Sequence, residues 1–404
     1  MKTSALLFAL FLVAGFQCGG HPRSPGQARA PVLHTETKPP DDAPERQSLL
    51  DLSRGATVVS RTGEGMLQFS AVQAIDGDGA SFWSPPPRDL PQSITFALAA
   101  QSRIDAVGLR TMTRGRSTVG HIRFETSLDG AHFSPLKTIQ STETNDAQWF
   151  DVAATSATHI RVTVLDSLTP DHDPHLGSVL VRGVELAKPH DADITGCWSI
   201  NGRAARFTRV SGVLELGPQP IFFQGGSDGR FYRFNWIRGN DYGVAALAVA
   251  PDGGTMSGIQ WHEEAIPFFF GDSWLGTRGT CSVATAVPRN VPSRMLQRSG
   301  RLSLFGLRFA DDGSLDAKAS ALTLVWLRRF LSTKPNIRFV AHEFRQPTPR
   351  QNKEFAQKEL DTLRQELAVD QLSFVAQGSD APRQQPVTPL MRSMYSSVDL
   401  EIRR

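Results

Sequence analysis

Among the stretches that set histidine beside carboxylates, the pairing that acid–base or metal chemistry uses, two stand out. Asp171-His172-Asp173-Pro174-His175 offers nitrogen and oxygen donors within five residues, and Trp261-His262-Glu263-Glu264 places a histidine next to a glutamate. Neither has the His-Glu-x-x-His spacing that brings two imidazoles onto one helix face. The first lies in a proline-containing loop, where solvated polar side chains are the simpler reading. In the second, strand alternation sends His262 and Glu263 to opposite faces and separates a base from its partner. There is no Gly-x-x-x-x-Gly-Lys phosphate loop and no Cys-x-x-Cys pair. Binding without catalysis is therefore the expectation. The competing expectation is an envelope hydrolase with its site in the middle of the chain.

The 404 residues carry 43 Lys and Arg against 40 Asp and Glu, a balance of +3 that gives no reason to expect nucleic acid or an anionic membrane surface as partner. Lys2, an uncharged apolar run over residues 5–16 and the small residues after it follow the pattern of a signal peptide, taken as residues 1–18. That run is too short to span a bilayer. Export to a Gram-negative-type envelope, outer membrane or periplasm, follows. Of three cysteines, Cys197 and Cys281 bracket one segment and pair naturally in an oxidising compartment, which leaves Cys18 over. A cysteine at a signal's end is where a lipoprotein takes its lipid, and a lipid anchor would be the protein's only membrane contact. Gly15-Phe16-Gln17 depart from the small residues such a site needs, so a lipidated Cys18 and one lost with an ordinary signal both stay open.

Residues 19–48 are rich in proline and poor in large apolar residues, a semi-extended tether. Breaks at Lys188-Pro189-His190-Asp191 and at residues 287–292 then divide the chain into three units: residues 50–187, 194–284 and 297–404. The first alternates with period two, as in Ser93-Ile94-Thr95-Phe96 and His121-Ile122-Arg123-Phe124, and predicts an antiparallel β-sandwich. The second packs short strands between turns such as Ser227-Asp228-Gly229 and predicts a small antiparallel sheet or barrel, closed by the Cys197–Cys281 disulfide. The third changes period. Strands at 302–309, 337–341, 372–376 and 398–402 surround helices in which Leu315, Ala319, Leu322, Trp326 and Phe330, then Ala356, Leu360, Leu363 and Leu367, recur at helical spacing, a βαβαβ-type α/β layer.

Motif order in the first unit is more specific. Leu52-Ser53-Arg54-Gly55-Ala56-Thr57-Val58, Ala74-Ile75-Asp76-Gly77-Asp78 with Ser81-Phe82-Trp83, Ser127-Leu128-Asp129-Gly130 with Phe133, and the closing Val184-Glu185-Leu186 make it resemble the discoidin, or coagulation-factor C-type, domain. The resemblance implies a galactose-binding-like jelly roll with a glycan or another cell-surface ligand held by loops at one end. Here those are residues 61–68, the surroundings of Trp83, and residues 113–117, where Arg114 and Arg116 would meet acidic groups. It also implies a structural calcium on Asp76, Asp78, Ser81 and Glu185, against the alternative of a tight turn with solvated carboxylates. Trp83 itself reads as core.

The third unit resembles the OmpA-like peptidoglycan-associated domain, on its strand–helix order, Leu307-Arg308-Phe309-Ala310, His342 and the Gly378 loop. That family grips a zwitterionic diaminopimelate with an Asp and an Arg. Phe344 and Glu359 stand in their places, and Tyr395-Ser396-Ser397 replace a basic pair. The resemblance thus implies the fold with peptidoglycan binding weakened or lost.

Overall fold

The computed structural model describes residues 48–63, 69–86, 89–112, 118–170, 172–189, 193–262, 271–280, 283, 285–332, 337–344, 348–368, 373–378 and 388–402, all within one compact unit. The signal, Cys18 and residues 19–47 of the tether lie outside them, whereas Ser48 is buried and its hydroxyl accepts from the Val181 N–H at 3.1 Å. Among the described residues no helix is long and apolar enough to cross a membrane.

The first region is a six-stranded antiparallel sheet folded over its own core: β1 (Thr57–Arg61), β2 (Gln92–Thr111), β3 (His121–Ser127), β4 (Ser134–Gln140), β5 (Gln148–Val164) and β6 (Leu176–Glu185). The run that starts at Ser93 and a second apolar run, Ala106-Val107-Gly108-Leu109, belong to one long strand, β2. It pairs with β1 and β5 before a register break between Ala97 and Ser102, and with β5 and β6 after it. Such a break lets a strand bend from one face of a sandwich to the other. Exposure then alternates from Gln101 to Asp105, which leaves Ser102 and Ile104 inside. Trp83, Phe96 and Phe124 are fully buried in this core.

The middle region is a closed eight-stranded barrel: β7 (Gly196–Ile200), β8 (Arg203–Phe207), β9 (Ser211–Leu214), β10 (Ile221–Ser227), β11 (Tyr232–Arg238), β12 (Asp241–Val249), β13 (Thr255–His262) and β14 (Asp272–Arg278). Every strand pairs with its sequence neighbour, and β14 closes onto β7. The apolar run Ile266-Pro267-Phe268-Phe269-Phe270, which the sequence pattern gives as one of the short strands of this unit, lies outside the described residues. Trp198, Phe207, Phe223, Phe234, Trp236 and Trp274 pack the interior.

The final region holds α1 (Val291–Ser299), β15 (Arg301–Ser303), α2 (Ala321–Leu331), β16 (Ile337–Glu343), α3 (Pro349–Leu367), β17 (Ser373–Gly378), α4 (Pro389–Tyr395) and β18 (Ser397–Ile402). The sheet order is β15-β18-β16-β17, with β16 and β17 parallel and β18 antiparallel between β15 and β16. Two helices are additions to the sequence pattern. Pro292, read as a break, sits in the first turn of α1, where its missing N–H costs nothing. The strand expected at 302–309 is only three residues long. Beyond it the chain turns at Gly306, where a Gly226 Cβ would come within 2.6 Å of the Gly306 Cα.

The three regions do not behave as beads. In β12, Ala245, Leu247 and Val249 face the barrel interior, whereas Ala246 and Ala248 join the sandwich core together with Phe231, Ile259, Trp261, Leu390, Met391 and Met394. The outer face of β11 docks the last region. Arg233 donates to the carbonyls of Ser393 and Ser396 at 2.5 and 2.8 Å, and the Asn235 amide bonds the backbone of Ser303 in both directions.

Candidate functional site

A buried 3-10 turn, Ala71–Ile75, started by Ser70 accepting from the Val72 N–H, delivers Asp76 to the edge of the sandwich core. The chain reverses at Gly77, whose φ of +73° suits glycine. Asp76 then accepts from the Asp78 N–H at 2.8 Å, and Asp78 from the Ala80 N–H at 2.9 Å. Ser81 closes the turn. Its Oγ lies 2.9 and 2.7 Å from the two Asp76 oxygens, 3.2 Å from the Gln73 carbonyl and 3.0 Å from the Asp78 carbonyl. A hydroxyl has one hydrogen, so only one of these four oxygens can receive it. The rest is an oxygen cluster short of positive charge.

A second acceptor adds to it. Gln73 is 1 % exposed, and its Oε1 has no hydrogen-bond partner. Gln73, Asp76, Asp78 and Ser81 line one side of a cavity of about 20 Å³, room for one water or one bare ion. Burial, and then the charge of Asp78, push the Asp76 carboxyl well above its usual range, against the hydrogen bonds from Ser81 and Asp78. Burial also raises Asp78, offset by the Ala80 N–H and the Arg110 charge. Hard oxygens of mixed type are what calcium takes, so the residues present fit such an ion. Among the described residues no three His, Cys, Asp or Glu side chains are grouped to hold a metal, so carbonyl and hydroxyl oxygens would have to complete the shell.

Glu185 does not join this set. Its carboxylate is gripped by Arg230 at 2.8 and 3.1 Å and by Arg54 at 3.1 Å. Burial pushes this carboxyl up, and the two guanidinium groups outweigh that and hold it below its ordinary value. The expected fourth ligand is therefore an ion-pair anchor between sandwich and barrel. Gln73, absent from the expected set, lines the same cavity and has a side-chain oxygen without a partner. Its only sequence signal is a polar residue inside the apolar run Ala71-Val72-Gln73-Ala74-Ile75.

Arg114 and Arg116 lie outside the described residues, but both ends of their loop are placed. Met112 N–H donates to the His175 carbonyl, and Thr118 forms a bridge with His175. The His175 ring stacks on Phe82 with centroids 4.1 Å apart, and Phe82 on Phe69 at 4.6 Å. Burial holds the imidazole pKa below its usual value, against the charge of Asp173, and His175 Nδ1 has no hydrogen-bond partner. Trp83 is core, as expected, with its Nε1 on the Gly63 carbonyl at 3.2 Å.

The remaining candidates scatter. His172 is exposed and Asp171 lies outside the described residues. His262 meets the Trp236 ring edge-on, and Glu263 and Glu264 lie outside the described residues. Gly225-Gly226-Ser227-Asp228-Gly229 has the Gly-x-Ser-x-Gly spacing of a nucleophile elbow, contrary to the expectation that the chain has none, yet Gly225, Gly226 and Ser227 are paired in β10 and the chain returns as β11, so the helix that must follow an elbow is missing. Cys197 is disulfide-bonded; Cys281 lies outside the described residues. Glu343 is fully buried and accepts from the Phe344 N–H and the Ser396 hydroxyl at 3.0 and 3.1 Å. Glu359, 2 % exposed, lines a cavity of about 600 Å³ between barrel and α/β layer with Arg230, Arg233, Arg308 and Asp316.

The folded-over antiparallel sheet with its oxygen-rich turn defines a β-sandwich module of the discoidin class. Residues 55–175 match the F5/8 type C domain, about 30 % of the chain. No curated protein matches the chain. Among solved structures, the C-terminal domain of a chitobiase from Bacteroides fragilis is similar at 23 % identity and TM-score 0.31, over 33 % of this chain and 98 % of that one. The family 32 module of NanJ from Clostridium perfringens, solved with galactose, is similar at 17 % identity and TM-score 0.27, over 31 % of this chain and 98 % of that one. A chitosan-binding module from a Paenibacillus chitosanase/glucanase is similar at 19 % identity and TM-score 0.29, over 33 % of this chain and 98 % of that one.

Proposed function

We propose that this is an exported envelope protein that binds a glycan through the loop end of its discoidin-type sandwich, without catalysis. The carrying observation is the match of residues 55–175 to the F5/8 type C domain, joined to the geometry at His175. His175 ties down both ends of the loop bearing Arg114 and Arg116, and its imidazole stacks on Phe82. Aromatic faces beside charged hydrogen-bonding groups suit a sugar ring with acidic substituents. In this reading a calcium ion on Asp76, Asp78 and Ser81 stiffens the turn by neutralising its carboxylates. The barrel, closed by a Cys197–Cys281 disulfide and filled with aromatic side chains, is a spacer. The α/β layer is OmpA-like, and buried Glu359 where the family has an arginine supports weakened peptidoglycan binding.

A glycan array with the whole secreted chain, followed by titration of the best ligand, tests the reading. Arg114→Ala with Arg116→Ala should weaken binding about tenfold or more at unchanged melting temperature, and His175→Ala should weaken it as much while also costing some stability through the lost stack on Phe82. Retention on purified peptidoglycan but on no glycan of the array would overturn it.

A further inference from the structure

In an isolated sandwich the Asp76 turn would face solvent; in this chain it is roofed. The far side of its cavity is formed by Ile259 and Trp261 of β13, by Gly271, and by Thr388, Leu390 and Met391 at the start of α4. These elements come from both other regions of the molecule. The fit is close. A Cβ on Gly77 would lie 3.0 Å from an Asp51 oxygen and 3.6 Å from both Thr388 and Pro389. A Cβ on Gly271 would lie 2.8 Å from the Trp261 indole nitrogen.

Helix α4 spans only seven residues, capped by Thr388 accepting from the Met391 N–H, so it owes its stability to docking. It docks through Leu390, Met391 and Met394, which are buried in the sandwich core. Two aspartates thus sit beneath an apolar roof. An uncompensated buried carboxylate is costly, and a bound cation removes that cost.

We propose that a calcium-type cation at the Asp76 turn, with Gln73 Oε1 as a donor in place of Glu185, fastens sandwich, barrel and α4 into one body. This rests on the calcium reading above and extends it from a loop stiffener to a clasp between regions. Gln73 lines the cavity, and its buried side-chain oxygen has no hydrogen-bond partner, which is the independent pointer to a ligand. Losing the cation would loosen α4 and β13 before the distant sandwich strands.

The test uses the whole chain with calcium chloride, with EDTA, and with terbium as a luminescent substitute. Terbium should bind and be sensitised by tryptophan. Trp261→Phe should remove most of that emission at equal occupancy, since Trp261 alone of the seven tryptophans lines the cavity. Gln73→Leu should weaken calcium roughly tenfold or more, and Gln73→Glu, which keeps an oxygen there, should retain it. Hydrogen exchange in EDTA should accelerate at residues 388–395 and 255–262 and stay unchanged at β4. Should wild type bind neither calcium nor terbium, the calcium reading fails and the clasp with it. Should the ion bind while Gln73→Leu and α4 exchange show no effect, only the clasp fails.

Discussion

One sandwich buries its acids in two different ways. Glu125 on β3 and Glu185 at the end of β6 are each met by arginine: Arg161 holds Glu125 through two bonds of 2.9 and 2.7 Å, and Arg230 with Arg54 holds Glu185. The Asp76 turn is met by a hydroxyl, backbone N–H groups and a second aspartate. The consequences for protonation are opposite. The hydrogen bond and charge of Arg161 draw Glu125 below its normal range, whereas burial and the charge of Asp78 push Asp76 up. Where the chain supplies a counter-charge, the acid is a fastening. Where it supplies only a hydroxyl and backbone N–H groups, burial prevails and the carboxyl is pushed up.

The harshest way to break this contrast is to remove the roof. Trp261 is 5 % exposed and joins the sandwich core from the barrel's outer face, so Trp261→Ala should cost about 3–5 kcal/mol in chemical denaturation. A loss under about 1 kcal/mol would mean that barrel and sandwich are energetically separate.

A smaller effect distinguishes the two kinds of site directly. Calcium at about a hundredfold above its dissociation constant should stabilise the wild type by about 2.7 kcal/mol. It should do nothing for Asp76→Asn. That variant, relieved of a buried charge, should melt no lower than wild type in EDTA. An Asp76→Asn protein stabilised by calcium as much as wild type would put the ion elsewhere.

The legible parts of the molecule were those where pattern follows local geometry. Alternation from Ser93 onward marks a strand, although residues 94–100 prove to be buried on both faces, and Asp76-Gly77-Asp78 followed by Ser81 and Trp83 marks the turn, because turn chemistry depends on neighbours in sequence. The α/β layer was readable from helical spacing at Leu360, Leu363 and Leu367, which face the sheet. What escaped depends on distant partners. Glu185 looked like a metal ligand until Arg230, 45 residues away, claimed it. The three regions looked separable because proline-containing linkers were visible and the shared core was not. One signal of it was present. Val244-Ala245-Ala246-Leu247-Ala248-Val249-Ala250 is a continuous apolar run, which a strand needs only when both its faces are buried.

Glu125 offers a cleaner test of the arginine-held class, because it is 6 % exposed and sits within one sheet. Glu125→Gln should cost about 1–2 kcal/mol at neutral pH by leaving Arg161 without its anion. The pH dependence has a definite sign. A carboxylate whose folded pKa is depressed contributes stability that is complete above its unfolded value, 4.5 here, and is lost as pH falls through the folded value. The wild type should therefore lose part of its advantage over Glu125→Gln in that acid window. Parallel pH profiles would show the pair to be energetically silent.

The smallest expected effect concerns Glu185, and it decides whether replacing a ligand by an anchor had an energetic consequence. Arg230 keeps 38 % of its side chain exposed and Glu185 17 %, so water screens much of their attraction. Arg230→Ala should cost about 1 kcal/mol, since Arg54 remains on the same oxygen at 3.1 Å. Arg54→Ala should cost less, and the double variant more than the sum, because only then is a largely buried carboxylate left alone. Additive losses would mean that solvent already serves Glu185 and that the union of sandwich and barrel rests on Trp261, Ile259 and Phe231. A loss larger than the sum would make Glu185 a charged fastening between the two regions, the chain's own counterpart to the ion expected at Asp76.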